Sequence, residues 1–168
     1  MPDTKENASV IERLTRKGDP RNTWRWHEGD PDYVAELALT QADVPSLVEI
    51  ARKWGEDDDA DKEGSWAPIH AWRAAAQLRV VEIVEPLLGM QNRLDEQGDD
   101  WYLEEFHDVF AMIGAAAIPP LSAYLADRDN SEYPRVSTAN GLYKIGECHP
   151  ETRQQIVEAV SDGLAVPG

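Results

Sequence analysis

AIPPLSAYL, residues Ala117 to Leu125, has two counterparts earlier in its own chain: IVEPLLGM from Ile83 and DVPSLVEIA from Asp43. Leu121, Leu87 and Leu47 fall in register, at steps of 34 and 40 residues. Pro120 and Pro86 match as well, and Ser46 holds that place in the earliest copy. A further step of 35 residues from Leu121 lands on Ile156, within TRQQIVEAV. Self-similarity at a period of roughly 20–50 residues marks repeat architectures, in which each unit buries its apolar face only against its neighbours.

Each copy reads as the second helix of a pair. The first helices lie upstream in DPDYVAELAL, APIHAWRAAAQL, DWYLEEFHDVFAMIG and SEYPRVSTANGLYKIG. Apolar residues recur at helical spacing in Val44, Leu47, Val48 and Ala51, and again in Val80, Ile83, Val84, Leu87 and Leu88. Phe106, Val109, Phe110 and Ile113 repeat the pattern, as do Ile156, Val157, Val160 and Leu164. Such stripes seat a helix on its neighbours, and no stretch has the alternation of a strand. Thr40 with Asp43 three residues on is close to a capping box. Asp30-Pro31 and Asp99-Asp100 read as helix starts, and Gly114 and Gly146 as helix stops. Pro86 and Pro120 fall early in their helices, where a missing N–H costs least. The sequence therefore predicts an all-α fold: an α-α superhelix, or solenoid, of about four helical hairpins after an N-terminal helix near residues 4–17. The expected organisation is one domain over 1–168, with 1–30 as N-terminal helix and cap segment and 31–165 as stacked hairpins.

WAPIHAWRAAAQLRVVEIVEPLL and DDWYLEEFHDVFAMIGAAAIPPLSAYLAD resemble the bacterial HEAT-like repeat proteins. The likeness covers roughly residues 40–165 and rests on repeat length, an early proline in the second helix and a small-residue turn between helices. It implies a repeat class and no particular function. Some relatives of this style carry a Cys-rich SEC-C zinc motif, which a chain with one cysteine lacks. Tetratricopeptide repeats share a similar period, but their signature proline closes a repeat, whereas here it opens the second helix.

Composition narrows the partners. The 168 residues suit one domain and are enough to bury a core. Lys plus Arg number 16 against 32 Asp plus Glu, a net charge of −16 that repels nucleic acid and anionic membranes and favours a basic partner and a monomer. Cys148 is the only cysteine, which suits a reducing compartment. No apolar run reaches the roughly 20 residues of a membrane span, and MPDTKENASVIERLTRKGDP has no signal-peptide core, so a cytoplasmic soluble protein is expected.

Four constellations have the residue types for binding or chemistry. In WGEDDDADKEGSW, Asp57, Asp59 and Asp61 occupy positions 1, 3 and 5 of an EF-hand-like loop, but Lys62 and Pro68 stand where the turn glycine and the bidentate glutamate belong. That stretch reads instead as a solvated insertion between the first two hairpins. Glu104 and His107 share a helical face but lack the second Glu-x-x-His of a di-metal bundle. Cys148 and His149 are adjacent and so do not face each other on a helix, and there is no nucleophile elbow or phosphate-binding glycine loop. His27, His70, His107 and His149 are scattered, one to a segment. No cofactor is implied.

The six tryptophans are the remaining signal. Trp72 and Trp54 end or continue apolar stripes and are expected to pack inside. Trp66 and Trp101 sit at helix starts beside acidic loops, so partial exposure on one rim is expected. NTWRWHEGD either clasps the end of the stack as a cap or docks a partner. The expected binding residues are Trp66, His70, Trp101 and Glu105. The expected function is a noncatalytic protein-interaction scaffold or adaptor with an acidic surface for a basic protein or peptide. The alternative is a small acidic inhibitor (an immunity protein, antitoxin or anti-defence factor) that covers a basic nucleic-acid-binding site. A metal- or bilin-dependent enzyme and direct nucleic-acid binding rank below these.

Overall fold

A computed structural model describes residues 8–56 and 64–165. The three aspartates of the EF-hand-like stretch lie outside the described residues, as do the first positions of the expected N-terminal helix. Among the described residues all the regular structure is helical, with no strand. It forms two compact units, Met1–Leu78 and Arg79–Gly168.

The N-terminal unit contains α1 (Val10–Thr15), α2 (Tyr33–Glu36), α3 (Val44–Ala51) and α4 (Ala67–Gln77). Ser9 starts α1 with a reciprocal capping box: its backbone N–H donates to Glu12 Oε2 at 2.8 Å while its hydroxyl accepts from the Glu12 N–H. The S-x-x-E signature was readable in the sequence. Thr40 and Asp43 form the box expected there, with the Thr40 N–H at 2.8 Å from Asp43 Oδ2. The expected cap at Asp30 is displaced to Asp32, whose Oδ1 accepts from the Ala35 N–H at 3.0 Å. DPDYVAELAL was expected to be helical throughout, yet α2 has only four residues. Ala38 takes a positive φ of 50° there, which turns Leu39 into the core. The carbonyls of Leu37 and Ala38 accept from Arg13 Nη1, and Arg13 Nη2 bonds Asp43 at 2.9 Å. α4 is buried along nearly its whole length, and its short alanines let α3 pack closely on it.

The C-terminal unit contains α5 (Val84–Glu96), α6 (Trp101–Ile113), α7 (Ile118–Ala126), α8 (Glu132–Cys148) and α9 (Arg153–Leu164). Gly114 ends α6 as expected, at φ 85° and ψ −145°, a conformation open to glycine. His149 Nε2 donates to the Ala111 carbonyl at 3.0 Å and so satisfies an orphan acceptor of that helix end. Gly146 was expected to stop a helix but lies inside α8, beside Arg153 and Ile156 of α9. α8 runs on to Cys148, and Pro150 opens the turn that follows. Gly141 is the site of closest approach: a Cβ there would sit 2.9 Å from Phe110 Cδ2 and 3.2 Å from Leu121 Cδ2. Asn92 on α5 fixes the loop before α8, with Oδ1 accepting from the Ser131 N–H and the Tyr124 hydroxyl and Nδ2 donating to Asn130.

The four second helices share one local design. Each follows a three-residue 3-10 turn: Gln41–Asp43, Val81–Ile83, Ala115–Ala117 and Pro150–Thr152. The α-helix begins at the next residue, and its fourth residue is Leu47, Leu87, Leu121 or Ile156, each of them buried. The register read from the sequence is thus present in the backbone. Among the described residues no single helix is long and apolar enough to cross a membrane.

Candidate functional site

α4 carries a polar row on an otherwise apolar helix. His70, Arg73 and Gln77 are spaced three and four residues apart, so they share one face, and that face meets the segment Gly18–Tyr33. Gly18 presents a carbonyl to His70 Nε2 at 2.7 Å, so this nitrogen carries the proton and donates. Nδ1 then accepts from the Tyr33 hydroxyl at 2.6 Å. Arg73 Nη1 donates to the Pro20 carbonyl at 3.2 Å and to Thr23 Oγ1 at 3.0 Å, and its guanidinium lies 5.5 Å from the Trp26 ring centre. Gln77 accepts from the Tyr33 N–H at 2.7 Å and donates to the carbonyls of Trp26 and Pro31, both at 2.9 Å. Buried amides and cations are costly unless so satisfied, which makes this clasp specific as well as firm.

Burial pushes the His70 imidazole down to about 4, against the opposing pull of its bond to Gly18. It is neutral near pH 7, with both nitrogens engaged. An expected binding residue therefore lies wholly inside the protein and acts on the surface only through the segment it holds. Of the two tryptophans in NTWRWHEGD, Trp26 is buried under Arg73 and Trp24 is 69% exposed. The segment is a cap with one aromatic ring left in solvent.

Trp66 is half-buried, as expected, and belongs to an aromatic group in the same unit. Its ring stacks on Trp54 at 5.8 Å and 23°, and Trp54 meets the buried Trp72 edge-on at 6.1 Å. Arg21 lies over the Trp66 ring at 5.5 Å. The Asp19 carboxyl, hydrogen-bonded by the Arg21 side chain and backbone N–H, is drawn down to about 2. Trp54 is half-buried where fuller burial was expected.

Trp101 and Glu105 belong to the other unit. Trp101 is the first residue of α6, half-buried, and its N–H donates to Asp99 Oδ1 at 2.9 Å, so Asp99 supplies the expected acidic start. Glu105 is buried, at 6% exposure. Of the four expected residues, the two tryptophans reach the surface and the two ionisable ones do not. Glu104 is exposed, while His107 Nδ1 donates to the Leu103 carbonyl, so this pair makes no joint site. Among the described residues no group of three or more His, Cys, Asp or Glu side chains is placed to hold a metal ion.

Apolar periodicity did not single out the exposed rings. Beside Trp24 they are Tyr133 and Tyr143 on α8, at 63% and 61% exposure. Their signal in the sequence was the ten-residue spacing that sets both on one side of a helix. Scans against protein-family models, curated proteins and solved structures return no match.

Proposed function

We propose that the chain is a noncatalytic protein-interaction module, a HEAT-like stack of helical hairpins that serves as a scaffold or adaptor for a basic protein or peptide. The observation that carries this reading is the recurrence, four times over, of a 3-10 turn, a helix and a buried fourth residue. A chain built by repeating one element supports a one-dimensional stack with an extended binding face. The charge of −16 sets the sign of the partner and steers its approach. Of the expected binding residues, Trp66 in the N-terminal unit and Trp101 in the C-terminal unit offer contact area, whereas His70 and Glu105 are buried. A monomer in a reducing, cytoplasmic setting completes the reading.

The same charge on so small a chain also favours a second reading, an inhibitor that covers a basic nucleic-acid-binding site. Affinity capture of the tagged chain from its native lysate, washed at low and then at physiological salt, separates the two. Several partners released by the salt step are expected of an adaptor. One dominant partner retained through it would favour the inhibitor. No partner at either step, or a complex with DNA in a mobility-shift assay, would defeat both.

A further inference from the structure

We propose that the outward face of α8 is a docking surface for a basic amphipathic helix of another protein. The inference rests on the partner chemistry just argued and assigns it a place.

α8 is 17 residues long, and Tyr133, Val136, Asn140, Tyr143 and Glu147 are all exposed. Their spacing of three, four, three and four residues draws one line along the helix. At about 1.5 Å per residue, the two tyrosines stand about 15 Å apart, the reach of roughly three turns of a partner helix. The helices that pack on α8 use its other sides. Gly141 meets Phe110 and Leu121, Gly146 meets Ile156 and Arg153, and Ser137, Thr138, Leu142 and Ile145 are buried. The row is thus a continuous exposed stripe in which Val136, 58% exposed, and the two tyrosines supply the apolar area, with Asn140 between them and Glu147 at the end.

Charge decides what covers it. Exposed Glu132 and Glu147 stand at the two ends of the row, and Asp129 lies just before the first. The cations on α8 are turned elsewhere. Arg135 donates to the carbonyls of Leu125 and Gly163, and Lys144 lies 3.8 Å from Asp108 on α6. An occupant with Lys or Arg at both ends of a short apolar row meets carboxylates at its ends and tyrosine faces between them. Tyrosine faces attract cations, and tyrosines bury large area with few rotatable bonds. A second copy of this chain would bring the same acids and another −16 of charge, and is repelled.

The probe is a synthetic helical peptide of about 18 residues, with leucines at the same three-four-three spacing and lysines at each end. Its counterpart has glutamate for every lysine. Both are titrated into the full-length ¹⁵N-labelled protein. The expected result is saturable binding of the lysine peptide, with the largest shifts between residues 129 and 148. Binding should weaken about tenfold or more in Tyr133→Ser/Tyr143→Ser, the loss typical of central aromatic contacts. In Glu132→Lys/Glu147→Lys, which keeps both tyrosines but removes the carboxylate that accepts from the Tyr143 hydroxyl at 3.0 Å, it should weaken severalfold and lose most of its salt dependence. Equal binding of the glutamate peptide, shifts centred elsewhere (at Trp24, for instance) or no saturation at millimolar peptide would each overturn the assignment. So would a wild-type dimer in sedimentation equilibrium that Tyr133→Ser/Tyr143→Ser abolishes, since the occupant would then be a second copy. A partner captured equally by wild type and the tyrosine variant would sink this surface while leaving the proposed function standing. Capture of no partner would count against the function itself.

Discussion

A proton added to His70 enters a site with no open edge, where one ring nitrogen already donates to Gly18 and the other must stop accepting from Tyr33. The folded value of about 4 lies below the ordinary 6.5, so the fold favours the neutral ring. Its contribution is complete above pH 6.5 and is lost as the pH falls toward 4. By pH 4 the loss is about 3 kcal/mol, at 1.36 kcal/mol per pH unit. Urea unfolding followed by tryptophan fluorescence at pH 7 and pH 4 tests this, with His70→Gln as the reference that does not titrate. The stability gap between wild type and variant should shrink by about that amount. A constant gap would mean that water reaches the ring. From the sequence His70 was expected among the binding residues, because apolar periodicity cannot see bonds to residues some fifty positions away. HAWRAAAQ nevertheless holds a readable sign, three polar side chains at helical spacing on an alanine-rich stripe, which asks for polar partners inside the protein.

Among the elements, α8 shows how far small residues govern packing. Gly141 lets it lie against Phe110 of α6 and Leu121 of α7, and any Cβ there intrudes on both. Gly141→Val should destabilise the protein by about 1–3 kcal/mol or more, the usual cost of forcing volume into a filled core. Chemical denaturation reads the change, and a neutral effect would mean that the three helices separate easily. Second helices were legible in the sequence because leucine, proline and turn recur together, and the same register appears in the backbone. First helices were read less accurately. Short α2 ends where Ala38 turns Leu39 inward and Arg13 binds the carbonyls left open, and α8 runs through a glycine that sequence pattern alone marks as a stop. In both cases a contact with another element outweighed the local preference. The apolar row ending α9 is only half used: Ile156 is buried, and Val157 and Leu164 are exposed.

For the molecule as a whole, net charge is the dominant long-range term. With −16 on 168 residues, self-repulsion opposes the compact state and is relieved by counterions. Raising NaCl from about 10 to about 200 mM should therefore raise the melting temperature by a few degrees. A falling melting temperature would mean that attractive ion pairs such as Arg13–Asp43 outweigh the repulsion. Composition made the sign of this field plain at once, but not where it is broken by rings and aliphatic groups, because that depends on which faces of each helix the others cover. The clasp has a further consequence, in time. Residues 18–33 leave the ribosome well before His70, Arg73 and Gln77, and the loop that joins them must close before any of these bonds forms. The cap therefore cannot dock until α4 has been made, and a nascent chain halted before α4 leaves Trp26 without the cover it has in the fold.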